Sequence, residues 1–137
     1  MTRTVILDTE AVDALGDPRH RHHRQVLAVA KVVAGRKRKA VAAIRFTVPT
    51  CVRVEACWDR EAPTAASLNR FRITDLALDP GAASAAAAIR KQHGVSVADA
   101  HIGAVIGHLD GDVTVVTSDP DDIRAVAGGR SVTVVTL

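Results

Sequence analysis

Aromatic side chains are almost missing from this chain: Phe46, Trp58 and Phe71 are the whole supply, and there is no tyrosine. A protein that grips single-stranded nucleic acid by stacking successive bases on aromatic rings needs a richer set, so that mode of binding is excluded as the main one. Cysteine is equally scarce. Cys51 and Cys57 are the only two; their spacing predicts one shared helix, where they cannot easily bond to each other, and so few suits a reducing compartment. No apolar run approaches the ~20 residues of a membrane span, and the apolar stretch of MTRTVILDTEAV is short and followed by acids, unlike a secretory signal. A cytoplasmic protein without a membrane partner is expected. Acids, too, are absent from a long interval. Between Asp17 and Glu55 there is none, while ten lysines or arginines fall there, including the run Arg36, Lys37, Arg38 and Lys39. From Asp75 onward eight acids face four bases. Such segregation points to a basic surface for a polyanion and, elsewhere, to a place for something cationic.

What is present reads as a single domain, residues 1–137, of ordinary globular composition: 47% of residues are apolar and 24% charged. There is no internal repeat and no linker. Short runs rich in Val, Ile and Leu (TVILD, AAIRFTVP, TDLALD, VTVVTS and SVTVVTL) alternate with helical patterns. The first pattern, EAVDALGDP, stops at Gly16 and Pro18. The second, RHHRQVLAVAKVVAGRK, is expected to stop at Gly35. CVRVEACWDR, TAASLNRFRI, PGAASAAAAIRKQHG, SVADAHIGAVIGHLDG and PDDIRAVAG follow. Strands separated by helices predict an α/β fold, a parallel sheet covered on both faces. Ligands of such sheets collect beyond the carboxyl ends of the strands, where the strand order reverses.

Asp8 and Asp119 occupy such positions, one directly after VIL and the other just after VVTS. Each has a structural explanation as a helix N-cap, and in DPDDIRAVA the cap reading extends to Asp119 with Pro120 at the first helical position. Asp99 reads as the third helical residue after Ser96, a variant capping box. Glu55 is different: its helical neighbours are Cys51, Val52 and Trp58, which puts it on an apolar face in need of a partner, either Arg53, Arg60 or a metal, the alternative being an exposed Glu at the helix edge. Caps do not explain why these acids converge on one edge. Gathered carboxylates raise one another's pKa and call for a hard divalent cation such as Mg²⁺ or Mn²⁺, which can activate a water and offset charge on a leaving oxygen.

Other chemistries find little support. No serine lies in a G-x-S-x-G elbow, and there is no Walker loop or G-x-G-x-x-G. RHRHHR (19–24) has no complete zinc spacing, and its arginines would repel the ion. His101, two residues past Asp99, is expected at the surface or on the substrate side.

Four pieces of the chain, VILDT, VPTCVRVEACW, VADAHIGAVI and VTSDPDDIRAVA, stand in the order and at the separations found in PIN-domain proteins, and the chain resembles specifically the VapC-type toxins of toxin–antitoxin pairs. The resemblance covers essentially the whole length. It implies a three-layer α/β/α PIN-like domain with a mainly parallel sheet in strand order 3-2-1-4-5. It further implies a Mg²⁺- or Mn²⁺-dependent endoribonuclease, usually a homodimer, that cleaves RNA by metal-activated water and is inhibited by a cognate antitoxin. Carried over by position, Asp8, Glu55, Asp99 and Asp119 form its acidic quartet, with Asp122 a secondary metal ligand; Asp8 and Asp99 would bind the metal directly. One residue departs from the pattern: the second position after the first aspartate, usually small or hydroxylated, is Glu10 here, and it either joins the metal site or crowds the substrate.

Two rivals define the alternatives. Phosphoryl transfer through an aspartyl phosphate needs a lysine on a later loop, but after residue 39 the only one is Lys91, inside a predicted helix. A PIN-like module that binds nucleic acid or a partner protein without cutting remains the second reading, kept open by Glu10.

Overall fold

The computed structural model describes the backbone of residues 2–39 and 43–137 and the side chains of residues 2–35 and 43–137. Ala42, the first residue of the second expected strand, and the side chains of the Arg36–Lys39 run lie outside the described residues. Five strands, β1 (Thr2–Leu7), β2 (Ala43–Pro49), β3 (Thr74–Leu76), β4 (Asp112–Thr117) and β5 (Thr133–Thr136), form one parallel sheet in the order β3-β2-β1-β4-β5. The helices are α1 (Thr9–Gly16), α2 (His23–Lys39), α3 (Thr50–Glu55), α4 (Ala66–Asn69), α5 (Pro80–His93), α6 (Val97–His108) and α7 (Pro120–Val126). A 3₁₀ turn, Pro63–Ala65, leads into α4. The expected strand order 3-2-1-4-5 is the observed one.

Consecutive strand residues point to opposite faces, so an unbroken buried run means that both faces are covered. Val5, Ile6 and Leu7 in β1 and Val115, Val116 and Thr117 in β4 are all buried. These two strands lie side by side, with Leu7 in register with Val116. The chain reaches β4 only after laying down β2 and β3 on the other side of β1. The order therefore reverses between β1 and β4, and their carboxyl ends open at the same place.

Three local expectations are corrected. Gly35 does not stop the second helix, which continues to Lys39; one glycine costs a helix roughly 1 kcal/mol and does not by itself end it. The helix that opens at Thr50 ends at Glu55, after six residues. Cys57, with φ of 54°, lies in the left-handed turn beyond it rather than on the same helix as Cys51. That early turn is held from behind. The Trp58 ring sits between the guanidinium groups of Arg53 and Arg60, 5.5 and 4.3 Å from its centroid, and both arginines pair with Asp75 at 2.8 Å.

At the amino ends of the strands the closure is made by Arg130. Its guanidinium donates to the carbonyls of Ile106, Leu109 and Gly111, satisfying acceptors left over where α6 ends. Gly111 has φ of 76°, and a Cβ at this position would collide with the Thr2 carbonyl oxygen. Among the described residues no helix is long and apolar enough to cross a membrane. Gly111→Ala is expected to lower unfolding free energy by more than about 1 kcal/mol through both the φ and the collision. Urea titration checks this: the midpoint should fall with the slope unchanged.

Candidate metal centre

Where β1 ends, Asp8 turns the chain into α1. Its amide still belongs to the sheet, donating to Val116 at 3.1 Å. The residue is 5% exposed, and both carboxylate oxygens are hydrogen-bonded: Oδ1 accepts from the Ala11 amide at 2.8 Å and Oδ2 from the Ser118 amide at 3.1 Å. Burial raises the Asp8 pKa above its ordinary value. Hydrogen bonds from the Thr117 side chain and from the Ala11 and Ser118 amides oppose the rise, and the Glu10 charge adds to it. The N-cap expected of Asp8 is present.

Asp119, at the corresponding end of β4, behaves otherwise. It occupies the N-cap position of α7, but its side chain makes no cap hydrogen bond. Its amide instead donates to Thr117 Oγ1 at 2.8 Å. The carboxylate is thus left free of the local duty that the sequence offered it. Asp121 turns outward, 3.9 Å from Arg124, whereas Asp122 turns toward the pocket. At the start of α6, Ser96 Oγ accepts from the Asp99 amide at 3.1 Å, as the capping pattern predicts.

Asp99, Asp119 and Asp122 each offer a carboxylate oxygen, and the three oxygens lie within 4.8 Å of one another. They line an open pocket of about 350 Å³ together with Asp8, Thr9, Glu10, Glu55 and Ser118. Asp8 and Glu55 face the same space without joining the close trio. The cost of the crowding falls on Asp99. Its pKa is raised to about 6, first by burial and then by the charges of Asp8, Asp122 and Asp119, against the Ser96 hydrogen bond.

Two sequence expectations fail here for geometric reasons. Glu55 is exposed, not on an apolar face, because α3 ends at that residue and Trp58 is not the next turn of its helix. Arg53 and Arg60 therefore do not neutralise it; Asp75 does so for both of them. His101 is wholly buried rather than at the surface. Its Nδ1 accepts from the Cys51 amide at 3.4 Å, and burial lowers its pKa. Thr117 was missed as a site residue. Its fully buried hydroxyl lies between the two strand ends, accepting from the Asp119 amide and helping to oppose the rise of the Asp8 pKa. A hydroxyl two residues before an acid at a strand end was the available signal.

An all-oxygen set of carboxylates at an open pocket suits a hard cation such as Mg²⁺ or Mn²⁺. A carboxylate with a raised folded pKa leaves the fold unpenalised below about 3.8 and penalised above about 6. After allowance for partial exposure, this penalty is on the order of 1–2 kcal/mol. In chelator, Asp99→Asn is accordingly expected to raise Tm at pH 7 and to leave it nearly unchanged at pH 4. With Asp99 present, Mn²⁺ should raise Tm more at pH 7 than at pH 5, which thermal melts at both pH values check.

No protein-family model matches the sequence. No curated protein matches it. Solved structures do. A chain of FitAcB from Neisseria gonorrhoeae superposes with a TM-score of 0.55 over 95% of both chains at 19% identity. VapBC2 from Rickettsia felis, bound to a DNA fragment from its promoter, gives a TM-score of 0.58 over 98% of both chains at 11% identity. FitAB bound to an IR36 DNA fragment gives 0.58 over 96% of this chain and 94% of that one, at 19% identity. The fold is PIN-like, α/β with a five-stranded parallel sheet.

Proposed function

We propose that the protein, as a single PIN-like domain, is a Mg²⁺- or Mn²⁺-dependent endoribonuclease acting as the toxin of a toxin–antitoxin pair. The observation that carries this reading is the trio Asp99, Asp119 and Asp122 with oxygens within 4.8 Å, set beside buried Asp8 where β1 and β4 end. Asp99, Asp119 and Asp122 would hold the cation, with Asp8 alongside and Glu55 at the rim. When bound, the cation supplies Lewis acidity toward a phosphodiester and a lowered pKa for water. The chain's own residues do the rest: the Ser118 and Ala11 amides keep Asp8 in one orientation, and Ser96 fixes the start of the helix that carries Asp99.

The toxin role draws on the likeness to VapBC2 and the FitAB structures and on the four sequence pieces that resemble VapC-type toxins. A cognate antitoxin, a homodimeric assembly and a cytoplasmic location belong to the same reading. The basic interval from Arg19 to Arg53 supports RNA as the polyanion, recognised by shape and phosphate geometry, since stacking residues are few.

The deciding experiment is RNA cleavage by the purified protein with Mg²⁺, with Mn²⁺ and with chelator. Cleavage is expected with either metal and absent in chelator. Asp99→Asn should lower the rate by at least about 100-fold, the scale on which a lost electrostatic contribution near the reacting group is felt. RNA bound but uncut by the folded wild type, across several RNAs and both metals, would favour the non-cutting binding module.

A further inference from the structure

Two oddities of the sequence, Glu10 and the cluster RHRHHR at 19–24, meet in the fold. His20 Nε2 lies 2.9 Å from Glu10 Oε1, and Glu10 lines the carboxylate pocket. The His20 ring is oriented from its other side as well: Nδ1 accepts the His22 amide hydrogen at 3.0 Å, which leaves Nε2 to carry the ring proton and give it to Glu10. The segment between α1 and α2 is fixed at further points. The His20 amide donates to the Asp17 carbonyl and the His23 amide to the His20 carbonyl, both at 3.0 Å, while His23 Nδ1 meets the Ala14 carbonyl at 2.8 Å. Its charges are unevenly balanced. Arg19 is 3.4 Å from Asp17, but Arg21 and Arg24 are exposed and make no ion pair among the described residues. Arg24 and His23 also sit in the first turn of α2, which has no acid there. Positive side chains at the positive end of a helix are unfavourable until an anion arrives.

We infer that Glu10 is a strut, not a metal ligand: through His20 it holds the Arg19–Arg24 segment at the mouth of the carboxylate pocket, so that Arg21 and Arg24 grip backbone phosphates of an RNA strand whose neighbouring phosphate enters the pocket. Glu10 and His20 are positioning residues; Arg21 and Arg24 bind substrate. The inference rests on the ribonuclease reading and adds the side from which the strand is held. It also accounts for the long acid at position 10, which meets a histidine ten residues on.

RNA binding is measured by fluorescence anisotropy with a labelled single-stranded RNA, in chains carrying Asp99→Asn to silence cleavage. Arg21→Ala with Arg24→Ala is expected to flatten the slope of log affinity against log salt by about 1.4, which is roughly 25-fold weaker binding at 0.1 M salt. Glu10→Gln and His20→Ala should each weaken binding at least about twofold, and together no more than either alone, as expected of partners in one contact. His20→Gln, which keeps a donor of similar reach, should recover part of the loss. In chains that retain Asp99, the Tm rise caused by Mn²⁺ should survive Glu10→Gln and His20→Ala. Loss of that rise in Glu10→Gln would make Glu10 a ligand and overturn the strut. Cleavage by the wild type together with unchanged RNA affinity and salt slope in the arginine variant would overturn the inference and leave the nuclease standing. No binding by the Asp99→Asn chain and no cleavage by the wild type would overturn both.

Discussion

A carboxylate buried at a strand end must be hydrogen-bonded or be forced neutral, and the site is organised around how Asp8 meets that demand. Its two oxygens take the Ala11 and Ser118 amides, one from α1 and the other from just beyond the end of β4. Asp8 is therefore also a tie between the two strands at the point where the sheet order reverses. With the Asp119 amide donating to Thr117, the Asp119 side chain makes no cap and faces the same space as Asp99 and Asp122. One structural carboxylate thus stands beside three that have no such duty to each other.

The repulsion created in this way is unequally shared. Asp99, on α6, is partly buried and is flanked by acids just past β1 and at the start of α7, and burial first and these charges second raise its pKa to about 6. Across the rim the arginines that might have relieved the acids are occupied: Arg53 and Arg60 close on Asp75 around Trp58, which leaves Glu55 exposed and unpaired by them. The contact of His20 with Glu10 brings the segment that carries exposed Arg21 and Arg24 to the pocket lining.

Much of this was legible in the sequence. The strands were visible because each is a short Val-, Ile- and Leu-rich run, and Asp8, Asp99 and Asp119 because they follow such runs or open helices. What was not legible depends on where helices stop and on contacts distant in sequence. Glu55 was assigned to an apolar face on the assumption of a longer helix, and the left-handed turn at Cys57 removes that face. Gly35 looked like an end but sits inside α2. His101 looked exposed because its own helix gives no hint that α3 packs over it. The pairing of Glu10 with His20 crosses a full helix and a run of turns, and no periodicity records such a contact.

Arg130 illustrates a different kind of demand. It touches three carbonyl oxygens at the end of the sheet away from the pocket. A lysine cannot replace it, because only the flat guanidinium directs several donors at acceptors lying in fixed directions. Changes there would be felt as loss of folded protein, whereas Asp99, partly buried and crowded at the far end of the sheet, costs the fold stability by being there.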